Sequence, residues 1–109
     1  MSLAEEITLL FHMTVKAGRE DKFRELATEH VKTTHAEDEG CINFVVLQQR
    51  DNPCEFVLYE RWRDRAAVEA HIARMQVVYG PPPPGRAGLP ARVLDFLEKS
   101  HGVRYDVVA

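Results

Sequence analysis

The stretch "EFVLYERWRDRAAVEAHI", Glu55–Ile72, changes its period partway along. Up to Trp62 it is rich in strand-forming residues. Phe56, Leu58 and Trp62 fall on one side and Val57 and Tyr59 on the other, the two-residue alternation of a strand. Beyond Asp64, a good helix N-cap, the apolar positions become Val68, His71, Ile72 and Met75, the spacing of one helix face. Glu60 shares the parity of Trp62, and His71 lies on the inward stripe of the helix that follows. If that sheet face is the helix-covered one, Glu60, Trp62 and His71 converge on one space.

Working outward, "CINFVVLQQ" is a second strand-like run, and "RDNP" between the two is a turn cluster, so they form a hairpin. Upstream, "EITLLFHMTVK" (Glu6–Lys16) reads as the first strand. It is followed by a helix on which Phe23, Leu26, Ala27, His30, Val31 and Thr34 share a face, with Gly40 expected to close it in a positive-φ conformation. Downstream, a Pro-rich loop is expected from Val77 to Pro90. Pro90 then opens a third helix, "ARVLDFLEK", with Val93, Phe96 and Leu97 inward, and "GVRYDVVA" is the last strand.

The order β-α-β-β-α-(loop, α)-β predicts an α+β, ferredoxin-like split βαβ fold: a four-stranded antiparallel sheet with helices on one face. The 109 residues suit a single domain, 1–109. Ile42, Phe44 and Val46 oppose Cys41, Val45 and Leu47 on the second strand, and the third strand is likewise apolar on both sides. A sheet with one wet face alternates apolar with polar. The second face is therefore expected to meet another copy of the chain in a two-fold homodimer.

The composition narrows the function. With 45% hydrophobic and 28% charged residues the chain reads as a globular protein. Its net charge of −3 and lack of a basic cluster argue against a nucleic-acid partner. No apolar run approaches the ~20 residues of a membrane span, and "MSLAEEITLL" lacks the features of a secretory leader, so a cytoplasmic location is expected. Cys41 and Cys54 start the two hairpin strands, which places them on the order of 25 Å apart. A disulfide tolerates about 7 Å between Cα atoms, so both read as free thiols. No metal-binding spacing, phosphate-cradling loop or nucleophile elbow is present. "GPPPPG", Gly80–Gly85, reads as a stiff surface loop that closes over a pocket mouth or reaches toward a partner subunit.

A carboxylate and an imidazole in an apolar pocket would have shifted pKa values, the pattern of general acid–base catalysis. Glu60 and His71 are the candidate catalytic residues. A buried Glu–His or Glu–Arg pair satisfied within a core gives the same pattern. His30 also sits on an inward helical stripe, whereas His12, opposite in parity to Leu9, Phe11 and Met13, faces the expected dimer contact.

Three runs, "MTVKAGREDKFREL", "EGCINFVVLQ" and "FVLYERWRDRAAVEAHI", resemble the antibiotic biosynthesis monooxygenase family. The resemblance extends from Ile7 to Met75, and its most specific piece is Tyr-Glu-x-Trp followed by Asp-x-Ala-Ala-x-x-x-His. It implies a dimeric α/β barrel with its pocket between sheet and helices. It also implies a cofactor-free monooxygenase acting with O2 on a small hydroxylated aromatic or quinol. Trp62, Glu60 and His71 would line the pocket. Leu58 and Val68 stand where polyketide-oxidising members have Asn and Tyr, and Phe11 stands where haem-degrading relatives have a strand Asn. With His30, these complete the candidate substrate-binding set. An acid–base isomerase of a small carbonyl compound and a non-catalytic ligand-binding dimer are the alternatives.

Overall fold

The computed structural model describes residues 5–84 and 89–109. The elements run β1 (Ile7–Val15), α1 (Glu20–Glu37), β2 (Cys41–Gln48), β3 (Glu55–Trp62), α2 (Arg65–Tyr79), α3 (Ala91–Leu94) and β4 (Leu97–Tyr105). The strands form one sheet in the order β2-β3-β1-β4, each neighbouring pair antiparallel. This is the ferredoxin-like α+β arrangement. Met13, Phe44, Phe56, Leu58 and Trp62 from the sheet pack with Phe23, Ala67 and Val93 from the helices in one core. On the other sheet face, Leu10 lies between Tyr59 and Val103, and His12 lies between Val57 and His101, their two rings stacked 4.8 Å apart. Leu47 on that side is 54% exposed in the single chain.

Local sequence explains most element limits. The backbone N–H of Ala67 donates to Asp64 Oδ1 at 2.9 Å, which caps α2 as expected of an N-terminal Asp. α2 ends at Gly80, whose φ of 85° suits a residue without a Cβ. Both cysteines are free.

Five expectations need correction. First, α2 continues through Tyr79, so the loop after it starts at Gly80 rather than Val77. The buried row is Ala67, His71, Met75 and Tyr79, a strict i+4 repeat that carries the helix past the exposed Val77 and Val78. Second, Ile72 lies beside that row and is 36% exposed rather than inward. Third, α3 stops at Leu94 and β4 begins at Leu97, because the free edge of β1 takes a partner along its length, from Thr8 opposite Tyr105 to Val15 opposite Leu97. Asp106 to Ala109 fall outside the strand.

Fourth, Gly40 does not cap α1 with a positive φ; Asp38 is the C-cap. Gly40 is needed for space, since a Cβ there would come 2.2 Å from that of Ala67. Fifth, a bulge between Cys41 and Asn43 sets Cys41 opposite Trp62, turning it to the core face instead of the face of Val45 and Leu47. Gly85 to Gly88 of the Pro-rich loop lie outside the described residues, as do Met1 to Ala4. Among the described residues no helix is long and apolar enough to cross a membrane.

Candidate functional site

The inner face of β3 presents Phe56, Leu58, Glu60 and Trp62 in turn, all buried. Glu60 lies between Leu9 of β1 and Phe44 of β2, in the middle of the sheet. Its carboxylate accepts a 2.6 Å hydrogen bond from Trp62 Nε1. Burial pushes its pKa from 4.5 up to about 7, and the single indole donor offsets only part of that. Near neutral pH this carboxyl exists in both forms, as an exchangeable proton acceptor must.

His71, one turn past Ala67 on α2, sits with its ring centroid 4.5 Å from that of Trp62. Its Nδ1 lies 2.5 Å from Asp38 Oδ2. The Asp38 carboxylate also takes a two-pronged grip from Arg74, with Nε on Oδ1 and Nη2 on Oδ2, both at 2.8 Å. Arg74 Nη2 reaches Thr34 Oγ1 at 3.3 Å as well. Burial raises the Asp38 carboxyl, but the bonds from Arg74 and His71 outweigh it and hold the group below its ordinary value. Burial, with the positive charge of Arg74, outweighs the raising effect of Asp38 and holds the His71 pKa below its ordinary value, so the ring is neutral at pH 7. An ionised Asp38 facing a neutral imidazole fixes the proton on Nδ1, which leaves Nε2 free to accept from a bound molecule.

Asp38 and Arg74 escaped the sequence reading, which had Thr34 on the inward face of α1 but gave it no polar partner. Asp38 did leave a trace: an acidic side chain at a helix C-terminus opposes the helix dipole and needs outside compensation. The guanidinium and imidazole of α2 supply it.

A cavity of about 40 Å³ opens over Glu60 and His71, walled by Leu9, Phe11, Leu58, Val68, Met75 and Leu89, with the half-exposed Ile72 on its lining. The structure therefore brings Glu60, His71, Leu58, Val68 and Phe11 around one space. Trp62 is fully buried and outside the lining, where it braces Glu60 instead of forming the wall. His30 lies farther along, its ring 5.6 Å from that of His71 and edge-on to Phe44 and Tyr79 at 5.0 and 5.2 Å. It lines an adjoining cavity of about 30 Å³ that shares the walls Leu58, Met75 and Leu89. Burial first, then the neighbouring His71 and the positive charge of Arg74, lower its pKa from 6.5 to about 4. Among the described residues no cluster of three metal-ligating side chains occurs.

Solved structures place this geometry in context. A protein from Bacteroides thetaiotaomicron, solved as a candidate antibiotic biosynthesis monooxygenase, superposes with a TM-score of 0.80 at 13% identity, covering 96% of this chain and 91% of that one. Rv0793 from Mycobacterium tuberculosis gives 0.76 at 17% identity over 96% and 97% of the chains. A mutant of SnoaB, described as a cofactor-independent oxygenase from Streptomyces nogalater, gives 0.71 at 20% identity over 95% and 94%. At these identities the likeness shows the fold. No curated protein matches the chain. The sequence profile of one family does match, over residues 6–77, most of the chain, from β1 to within the last turn of the His71 helix. The chain belongs to the antibiotic biosynthesis monooxygenase family.

Proposed function

We propose that the protein is a monooxygenase, needing no bound cofactor, that oxidises a small hydroxylated aromatic or quinol with O2. One observation carries this reading: a carboxylate titrating at about 7 lines an apolar cavity beside a neutral imidazole. Glu60 takes the hydroxyl proton of the substrate. The resulting anion is electron-rich and passes one electron to O2, and the two radicals combine to form a C–O bond. Cleavage of the O–O bond leaves one oxygen on the substrate as a carbonyl and releases the other as water. The substrate supplies every electron. His71 Nε2 accepts from a second substrate hydroxyl, and Phe11, Leu58 and Val68 hold the ring. SnoaB, with the same fold, is described as a cofactor-independent oxygenase, which supports the reading.

The enclosed space of about 40 Å³ is smaller than such a ring requires, since small-molecule pockets reach several hundred Å³. Binding therefore displaces Met75, a pliable side chain, together with Leu89 and Ile72. The apolar sheet face around Leu10, Val57, Tyr59 and Val103, half-buried in the single chain, with the exposed Leu47 beside it, supports a two-fold homodimer, to be checked by light scattering at micromolar concentration.

The test is oxygen uptake with a panel of quinols and polycyclic phenols, with chelator present and no flavin. Substrate-dependent uptake that Glu60→Gln abolishes is expected, and no uptake with any substrate contradicts the proposal. The placement of Glu60, titrating at about 7, and the neutral imidazole of His71 on one cavity also favours acid–base isomerisation of a small carbonyl compound. Deuterium wash-in next to the carbonyl without oxygen consumption would select that reading.

A further inference from the structure

The two enclosed spaces are chemically unequal. The Glu60 cavity has a carboxyl and an imidazole on its lining. The chamber around His30, beyond the shared walls Leu58, Met75 and Leu89, is enclosed by Met13, Phe23, Leu26, Ala27, Val46 and Val93. His30 is the one polar residue on that lining among the described residues. It is 6% exposed, and both its ring nitrogens are buried without a hydrogen-bond partner, so it offers the chamber only ring carbon. A group held there therefore meets apolar surface alone.

The partition between the two spaces is soft. Met75 is unbranched and pliable. It and Leu89 are two of the three shared walls, and they are also side chains that a ring must displace to enter the Glu60 cavity. Admitting a ring thus opens that cavity into the chamber. We propose that the two spaces form one pocket on binding, and that the substrate is an alkyl-substituted quinol: its hydroxyls meet Glu60 and His71, and its apolar side chain fills the His30 chamber. This rests on the oxygenase reading above and narrows it to one class of substrate. Ligand pockets pair an apolar lining with a few polar groups that fix orientation, and here all of those groups stand at one end. A hydroxyl or carboxylate at the far end of the molecule would be buried without a partner, which opposes binding. Ring systems hydroxylated at both ends are therefore poor substrates. Oxygen enters the ring at the Glu60 end, and the product keeps its side chain unchanged.

Methyl-, ethyl- and propylhydroquinone would be titrated into the full-length protein under nitrogen, where binding proceeds without oxidation. Fluorescence of Trp62, the one Trp in the chain and bonded to Glu60, reports occupancy. Kd should fall by about fourfold per added carbon. Hydroxyethylhydroquinone, which matches the propyl compound in size but ends in a hydroxyl, should bind more weakly than it by ~10-fold or more. Ala27→Leu, which fills the chamber from α1, should flatten the series.

The place of the side chain is read without any variant. Met13 lines the chamber but not the Glu60 cavity. In protein carrying 13C-methyl Met, an intermolecular NOE is expected between the terminal methyl of bound propylhydroquinone and the Met13 methyl. A wild-type series with no gain in affinity along its length, no binding of any member, an equal gain in folded Ala27→Leu, or a missing contact to Met13 would each overturn the proposal. Should the hydroquinones bind with this length dependence and reach Met13, yet consume no oxygen in air, the oxygenase reading falls and the assignment of the chamber stands.

Discussion

The cavity at Glu60 and the chamber at His30 share three walls, yet the polar groups of the first are partnered and the imidazole of the second is alone. The carboxylates beside them sharpen the contrast. Burial raises the pKa of both Asp38 and Glu60. Asp38 is gripped by a guanidinium and an imidazole, which turn the balance and keep it ionised. Glu60 has one neutral indole donor, so burial prevails and its pKa settles at about 7. The charge and number of donors, more than depth, decide which buried acid is a structural anchor and which can exchange a proton.

The largest expected effect comes from removing the proton-exchanging acid. Glu60→Gln keeps an acceptor for Trp62 Nε1 but cannot take a proton. It should lower kcat for substrate-dependent oxygen uptake by ~10³-fold with the fold intact by circular dichroism, a loss within the usual range for a general base. Next comes the anchor. Arg74→Met strips Asp38 of its two-pronged partner and leaves a buried charge. Urea unfolding at pH 7 should show a loss of about 3 kcal/mol, part of it recovered by adding Asp38→Asn.

Two opposing pH dependences of similar size separate the two cavities. Glu60 has a folded pKa raised from 4.5 to about 7, so as pH rises across that window the unfolded chain loses its proton first and stability falls. Glu60→Gln should thus be more stable than the wild type above pH 7, by up to about 3 kcal/mol, and lose that advantage below pH ~4.5. His30 has a folded pKa depressed from 6.5 to about 4, so its contribution is present above 6.5 and lost as pH falls through 4. His30→Leu should remove an acid-side loss of about 3 kcal/mol, measured by urea unfolding from pH 7 down to pH ~4. The smallest effect is local. Asp64→Ala deletes the cap of the helix that carries His71 and should cost about 1 kcal/mol.

Period and parity in the sequence make the core of the candidate site legible. Two-residue alternation put Glu60 with Trp62, and helical spacing put His71 and His30 inward, where the structure has them. These are local consequences of backbone geometry. What the pattern missed depends on distant partners. Asp38 meets Arg74 across 36 residues of chain, and neither belongs to an apolar stripe. The bulge that turns Cys41 inward is a property of the β2–β3 pair, not of either strand alone. "LEKS", which suits a helix, became strand because the edge of β1 needed a partner. Gly40 was read as a backbone device when it is a matter of space against Ala67. Trp62, expected in the pocket wall, stands behind Glu60 because its indole N–H finds the carboxylate there.

Whether Glu60 is a proton acceptor poised near neutrality in a substrate cavity is decided by the pH dependence of kcat/KM for substrate-dependent oxygen uptake. The rate is expected to rise with pH through a midpoint of about 7, with that limb missing in Glu60→Gln. A rate that stays flat from about pH 6 to about pH 8, or a limb that survives Glu60→Gln unchanged, would contradict it.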